Sequence, residues 1–122
     1  PINPIPLAIA AGATYVARST TYHAAQLPRL IADAIRNPGF SLVEVLTGCP
    51  TYFGRMNEKA DPKKMLEWQK DHTVNVRQYE TLSPEEKQTK FATGVIYSAQ
   101  RPEYTEEYLK LIRKVQGEAP RP

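Results

Sequence analysis

Residues able to do chemistry are sparse in this sequence, and Cys49, its only thiol, stands out. It lies in Thr47-Gly48-Cys49-Pro50-Thr51, three residues past an apolar run, where glycine and proline restrict the backbone. Three readings of that thiol are open. A free cysteine often packs as a small hydrophobe. A catalytic thiolate needs a base beside it; His23 and His72 are available, but no spacing ties either to Cys49. A metal or cluster ligand needs companions, and one cysteine cannot hold a metal alone, so the others would come from another polypeptide.

The remaining candidates each have a plainer reading. Tyr52 and Phe53 beside Arg55 could stack on bases, or simply pack locally. Glu44 could serve as a general acid or base, or face a partner charge at a sheet surface. Lys63-Lys64 reads as a solvated helix face, with docking of an acidic electron carrier as the sharper alternative. There is no G-x-G-x-x-G, no P-loop and no C-x-x-C. From these residues alone no catalytic or cofactor-binding side chain is named, and Cys49 is the one candidate metal ligand.

The elements that must position Cys49 follow from periodicity. Residues 6–11 read as the last turns of a buried helix, with Gly12 placed as its C-terminal cap. Residues 13–17 form a short β-prone run ending at Arg18 and Ser19, and 19–23 form a polar loop. Leu27, Leu30, Ile31, Ala34 and Ile35 recur at helical spacing, and Asn37-Pro38-Gly39 stops that helix. Residues 41–46 are a nearly continuous apolar strand of the kind buried on both faces. Strand, helix and strand make a βαβ unit, with parallel strands near 13–17 and 41–46 joined by helix 24–36. In parallel α/β sheets ligands bind outside the carboxyl ends of the strands. Cys49 and the loop carrying Arg18 and Ser19 would open on that edge.

Beyond residue 47 the pattern changes. Residues 47–60 have no period and read as loop. Asp61-Pro62 signals a helix start, with Met65, Leu66 and Trp68 available for an apolar side. Ser83-Pro84-Glu85-Glu86 repeats the signal as a capping box. Phe91 to Tyr97 is a candidate strand. Tyr104, Tyr108, Leu111, Ile112 and Val115 follow a helical period that Gly117 ends, and the Pro-rich last five residues are expected to fray.

Composition sets outer limits. The chain has 122 residues, a net charge of +3 and no clustered basic run, which is weak support for nucleic-acid binding. No apolar stretch approaches the roughly 18 residues that cross a membrane, and the first residues lack the basic start of a signal peptide. A cytoplasmic location is expected. Only five of the 29 charged residues fall within residues 1–54. A small independent domain needs polar surface on all its elements, so this asymmetry favours a fragment or split subunit with a large apolar face meeting partners. The expected fold class is α/β: a partial parallel sheet with a helical, extended C-terminal tail.

The ordered string is more informative than its pieces. It runs from Leu7-Ala8-Ile9-Ala10-Ala11-Gly12-Ala13-Thr14-Tyr15-Val16-Ala17-Arg18-Ser19, through Gly39-Phe40-Ser41-Leu42-Val43-Glu44-Val45-Leu46, to Cys49-Pro50-Thr51-Tyr52-Phe53-Gly54-Arg55. It resembles the C-terminal part of the beta subunit of 2-oxoacid:ferredoxin oxidoreductases. Met65-Leu66-Glu67-Trp68 and Thr93-Gly94-Val95-Ile96-Tyr97, followed by Arg101-Pro102-Glu103-Tyr104, resemble the family's tail. The form of the Cys49 segment leans toward the 2-oxoglutarate branch.

The resemblance implies residues 1–51 as the C-terminal βαβ part of a thiamine diphosphate-binding domain, and residues 52–122 as a beta-subunit extension. It implies oxidative decarboxylation of a 2-oxoacid with thiamine diphosphate and magnesium, acyl transfer to coenzyme A, and electrons leaving through 4Fe-4S clusters to ferredoxin. Cys49 resembles the family's fourth ligand to the cluster nearest the thiamine. The family's Gly-Asp-Gly segment, its metal-binding Asn and its other cluster cysteines are absent from these residues. The chain alone is therefore expected to be inactive and to need a companion polypeptide carrying the N-terminal part of the beta subunit, together with alpha and other subunits. A non-catalytic interaction or assembly module is the alternative.

Overall fold

The computed structural model describes residues 2–117. Helix α1 (Pro4–Ala10) starts with Asn3, whose side chain accepts from the Ile5 N–H, and with proline at its first position. It ends at Gly12, whose φ of +94° suits a residue without a β-carbon. There the Ala13 N–H reaches the Ala8 carbonyl and the Gly12 N–H the Ile9 carbonyl, the paired bonds of a Schellman end. The tight reversal delivers the chain into β1 (Tyr15–Thr20), buried along its whole length.

A single 3₁₀ turn (Ala24–Gln26) leads into α2 (Leu27–Arg36). Strand β2 (Ser41–Leu46) then runs parallel to β1, with Arg18 opposite Glu44. The expected βαβ unit is present, and β2 has the bounds read from the sequence. Strand β1 differs: it starts two residues later and continues through Arg18, Ser19 and Thr20, which were expected in a loop. Those polar residues stay extended because β2 pairs with β1 out to Leu46.

Helix α3 (Pro62–His72) runs into the short strand β3 (Thr73–Asn75) and the one-turn helix α4 (Val76–Glu80). Helix α5 (Pro84–Lys87) carries the expected reciprocal Ser83–Glu86 capping box. Strand β4 (Phe91–Ser98) precedes α6 (Tyr104–Gln116), which Gly117 ends in the left-handed conformation. The expected frayed end lies outside the described residues.

The sheet order is β2-β1-β4-β3. The β1–β2 and β3–β4 pairings are parallel, but β4 lies antiparallel to β1, so the partial parallel sheet is in fact mixed. On one face α1 packs Ile5 and Ala8 on Ala13 and Val16, with Leu42 and Ile96 beside them. On the other, Leu30 of α2 meets Tyr15 and Ala17, with Val43 beside them. Strand β2 was expected to be buried on both faces. It is an edge strand instead, half-buried along most of its length with Val45 exposed.

The apolar side expected for α3 is also corrected. Leu66 and Trp68 are exposed, and the buried residue of that helix is Gln69. No residue of α6 is buried, and of its apolar row Tyr104, Tyr108, Leu111 and Val115 are exposed while Ile112 is half-buried. Among the described residues no helix is long and apolar enough to cross a membrane.

Candidate functional site

The carboxyl ends of β1 and β2 form one edge of the sheet, and three polar layers converge there. Below the edge, Arg18 and Glu44 sit opposite each other on the parallel ladder and form an ion pair, their side chains 11% and 19% exposed. Glu44 thus faces a partner charge, the plainer of its two readings. The guanidinium also reaches Asn3 Oδ1 at 3.4 Å and lies 5.9 Å from the Phe91 ring centre.

At the edge itself the last residues of β1 are fully enclosed. Thr20 pairs through Oγ1 with Nδ1 of His23 at 2.9 Å. Ser19 Oγ is buried with no hydrogen-bond partner, alone in that respect among the described residues. Such groups are rare, because burying a hydroxyl without a partner is unfavourable.

Gln69 ties the edge to α3. Its Oε1 accepts from the Tyr22 N–H at 2.8 Å and from Thr21 Oγ1 at 3.1 Å. Its Nε2 donates to the Leu46 carbonyl at 3.4 Å. One side chain thus joins the ends of both parallel strands and fixes where the next loop leaves β2. Sequence reading passed over Gln69 because the eye follows apolar residues. The spacing of Met65 and Gln69, four residues apart, would have found it, since the two fall on one face of α3.

That next loop carries Cys49. Residues Pro50–Gly54 form a π-helical turn, closed by the Gly54 N–H donating to the Cys49 carbonyl at 2.8 Å. The expected aperiodic loop is therefore a defined turn, of a kind frequent at functional sites. Gly54 is required by crowding: a β-carbon there would lie 2.7 Å from the Ala60 Cα and 3.0 Å from the Lys59 carbonyl oxygen. The turn rests on Met65 of α3.

The turn folds the backbone of residues 51–53 around the sulfur. Cys49 is exposed. Its thiol is lowered to about 7 by hydrogen bonds from the Phe53 and Tyr52 backbone, with the Thr51 hydroxyl, 3.7 Å away, adding to them. A thiolate accepts such bonds better than a thiol does, so the charged form is favoured. Around it Tyr52, Phe53 and Met56 are exposed. The packed-hydrophobe reading of Cys49 thus does not describe this chain.

Neither histidine joins the thiol. His23 bonds to Thr20, and His72 bonds to the Trp68 carbonyl at 2.8 Å while stacking on the Trp68 ring. The Asp61 side chain caps the start of α3, accepting from the Lys63 and Lys64 N–H groups, and Lys63 pairs loosely with Glu67. Arg55 lies in the turn just after Gly54. A cavity of about 390 Å³ opens beside His23, Gln26, Asn75, Gln78 and Thr93, and Cys49 does not line it.

No group of three or more His, Cys, Asp or Glu side chains able to hold a metal occurs among the described residues. The donor set among the described residues does not fit magnesium. An exposed, activated thiol does fit one corner of a cluster whose other ligands lie elsewhere.

Comparison with known proteins agrees with the family resemblance. The chain is 42% identical over 112 residues to the 2-oxoglutarate synthase subunit KorB of Methanocaldococcus jannaschii, covering 92% of this chain and 42% of that protein. It is 36% identical over 119 residues to the subunit of the same name from Methanothermobacter thermautotrophicus, covering 98% of this chain and 42% of the relative. Subunit beta of 2-oxoacid:ferredoxin oxidoreductase 2 from Aeropyrum pernix is 41% identical over 83 residues, 68% of this chain and 24% of its own length. The chain therefore spans about two-fifths of the KorB relatives.

No family model matches the chain. In fold it resembles a 2-oxoglutarate:ferredoxin oxidoreductase from Magnetococcus marinus, solved with 2-oxoglutarate, coenzyme A and succinyl-CoA bound. The TM-score is 0.69 at 21% identity, over 98% of this chain and 40% of that one.

Proposed function

We propose that this chain, homologous over nearly its whole length to beta subunits of 2-oxoacid:ferredoxin oxidoreductases, is the C-terminal part of such a subunit and acts on 2-oxoglutarate. It works within a multi-chain enzyme that decarboxylates the 2-oxoacid oxidatively, forms the acyl-CoA and passes electrons through iron–sulfur clusters to ferredoxin. The substrate assignment rests on the KorB relatives. The part that this chain plays rests on Cys49.

When bound, thiamine diphosphate serves as the electron sink for the substrate carbanion, and a 4Fe-4S cluster carries electrons one at a time. Thiamine diphosphate, magnesium and the cluster's other ligands are assigned to the remainder of the subunit, since the described residues gather no set of side chains able to hold a metal. This chain's own residues shape and hold one ligand. The Gly54–Cys49 bond closes the turn, and the Phe53 and Tyr52 N–H groups stabilise negative charge on sulfur. N–H donors to a ligand sulfur also help set a cluster's potential. Gln69 holds the base of the loop, so the thiolate stands at a fixed place on the sheet edge.

The activated thiol on a rigid turn at the strand ends is the observation that carries this reading. Cys49→Ser in the assembled complex tests it. Serine is a harder ligand and is seldom deprotonated at neutral pH, so one cluster should lose occupancy or shift its signal. Thiamine binding should persist. Iron analysis and low-temperature EPR of the reduced complex read the outcome, and full iron with unaltered cluster signals overturns the ligand role.

A further inference from the structure

The turn that presents Cys49 lies between Gly48 and Gly54, and one side chain fills the space behind both. A β-carbon at Gly48 would lie 2.9 Å from the Met65 sulfur and 3.1 Å from the Met65 β-carbon. A β-carbon at Gly54 would lie 2.9 Å from the Met65 methyl group. Neither glycine has a positive φ, so backbone conformation requires neither. What the two positions share is closeness to Met65, an approach that glycine permits. Gly54 is buried there, while Tyr52 and Phe53 are exposed.

Met65 is itself held in place. Its N–H donates to the Asp61 carbonyl at 3.1 Å, and the Asp61 side chain caps the start of α3. Just ahead of α3 the Lys59 N–H donates to the Gly54 carbonyl at 2.7 Å, which ties the end of the turn to the approach to the helix. One helical turn beyond Met65, Gln69 accepts from the Tyr22 N–H and donates to the Leu46 carbonyl. Helix α3 is therefore fastened to the sheet edge at Gln69, and the Cys49 loop rests on α3 at Met65. Methionine suits that place, since an unbranched chain with a polarizable sulfur fills an irregular gap. Met65 is half-buried, whereas its neighbours from Pro62 to Trp68 are exposed.

We infer that Met65 is a positioning residue for Cys49: its side chain sets the gap between the loop and α3, and with it the place of the sulfur at the sheet edge. It acts through the backbone at Gly48 and Gly54. The inference rests on the ligand role proposed above for Cys49 and not on the identity of the 2-oxoacid.

Iron retention in the assembled oxidoreductase tests it, with Cys49→Ser run alongside. In Met65→Ala the loop loses its backing. A chelator should then strip iron about tenfold faster than from the parent complex, the scale of effect known for groups that orient a metal ligand from behind. The low-temperature EPR lines of the reduced complex should also broaden, because the ligand then occupies a range of positions. Met65→Leu keeps most of the volume and should give a smaller change of the same kind. Gly48→Ala drives a β-carbon into the Met65 side chain and should act in the same direction. The double variant Gly48→Ala/Met65→Ala should show less than the two effects combined, since both work through one contact. Parent-like iron retention and EPR lines in Met65→Ala, with both altered in Cys49→Ser, overturn the role of Met65 alone, even where the variant complex is less stable to heat. Where Met65→Ala does not assemble, Met65→Leu decides by the same two readouts. Cluster signals unaltered in Cys49→Ser overturn the ligand role and this inference with it.

Discussion

The lowered pKa of Cys49 depends on one crowded glycine, which makes it open to a sharp test. The Gly54→Ala variant places a β-carbon 2.7 Å from the Ala60 Cα and 3.0 Å from the Lys59 carbonyl oxygen. Both are backbone atoms, so the turn must open. The Phe53 and Tyr52 N–H groups then leave the sulfur, and the thiol should return from about 7 toward its ordinary range.

The assay is the pH dependence of alkylation by iodoacetamide. At pH 7 about half of Cys49 is thiolate, against about 3% for an ordinary thiol of pKa 8.5. The better-stabilised thiolate is a weaker nucleophile, by about fivefold for that difference. The net rate advantage at pH 7 is therefore only about threefold. Above about pH 8 the order inverts, and the parent chain should react more slowly than Gly54→Ala. The midpoint, together with this crossing of the two profiles, is the decisive observable. A parent midpoint at 8.5 or higher, or a Gly54→Ala midpoint still near 7, refutes the role given to the turn. The sign for stability follows. A thiol acidified by folding favours the folded turn above pH 8.5, and that contribution fades as pH falls through about 7.

Two further outcomes concern the frame that holds the loop. Replacing Glu44 with Leu leaves the Arg18 guanidinium enclosed and unpaired, which should cost about 2–3 kcal/mol, whereas the double variant Arg18→Met/Glu44→Leu should recover most of it; urea unfolding of the four-member cycle checks this. Gln69→Leu strands the Tyr22 N–H and should cost about 1–3 kcal/mol. It should also speed exchange at the Tyr22 amide, which a uniform loss of packing would not single out.

What could be read from the sequence divides along physical lines. Local signals held. The Asp61 cap accepts from Lys63 and Lys64, and the Ser83 capping box is reciprocal. Gly12 ends α1, and β2 starts and stops where its apolar run does. These features depend on a few neighbouring residues, so the chain displays them directly. The end of β1 was missed because Arg18, Ser19 and Thr20 have the composition of a loop. They remain extended because Glu44, 26 residues on, neutralises Arg18, and because His23, close by but not marked by type, accommodates Thr20. The π turn was missed for the opposite reason. It has no repeat to detect, and its one strict demand, a glycine at 54, shows only when Ala60 is brought against it.

Strand β2 shows a third kind of failure. Its sequence reads as buried on both faces, and in this chain it is half-exposed at an edge. A side-chain pattern records the surroundings under which a sequence was selected, not those supplied by any one stretch of it. If an edge position were its working state, Val45 in solvent and an unguarded ladder would invite nonspecific pairing. The same reasoning applies to the low charge of residues 1–54 and to the open row on α6, where Tyr104 and Tyr108 stack on each other and nothing buries them. The mismatch between the strand's pattern and its exposure is thus itself evidence, and it predicts a direction. Completing the assembly should bury Val45 and the Ser41–Val45 edge while leaving the Arg18–Glu44 pair unchanged, since that pair is already satisfied within the chain.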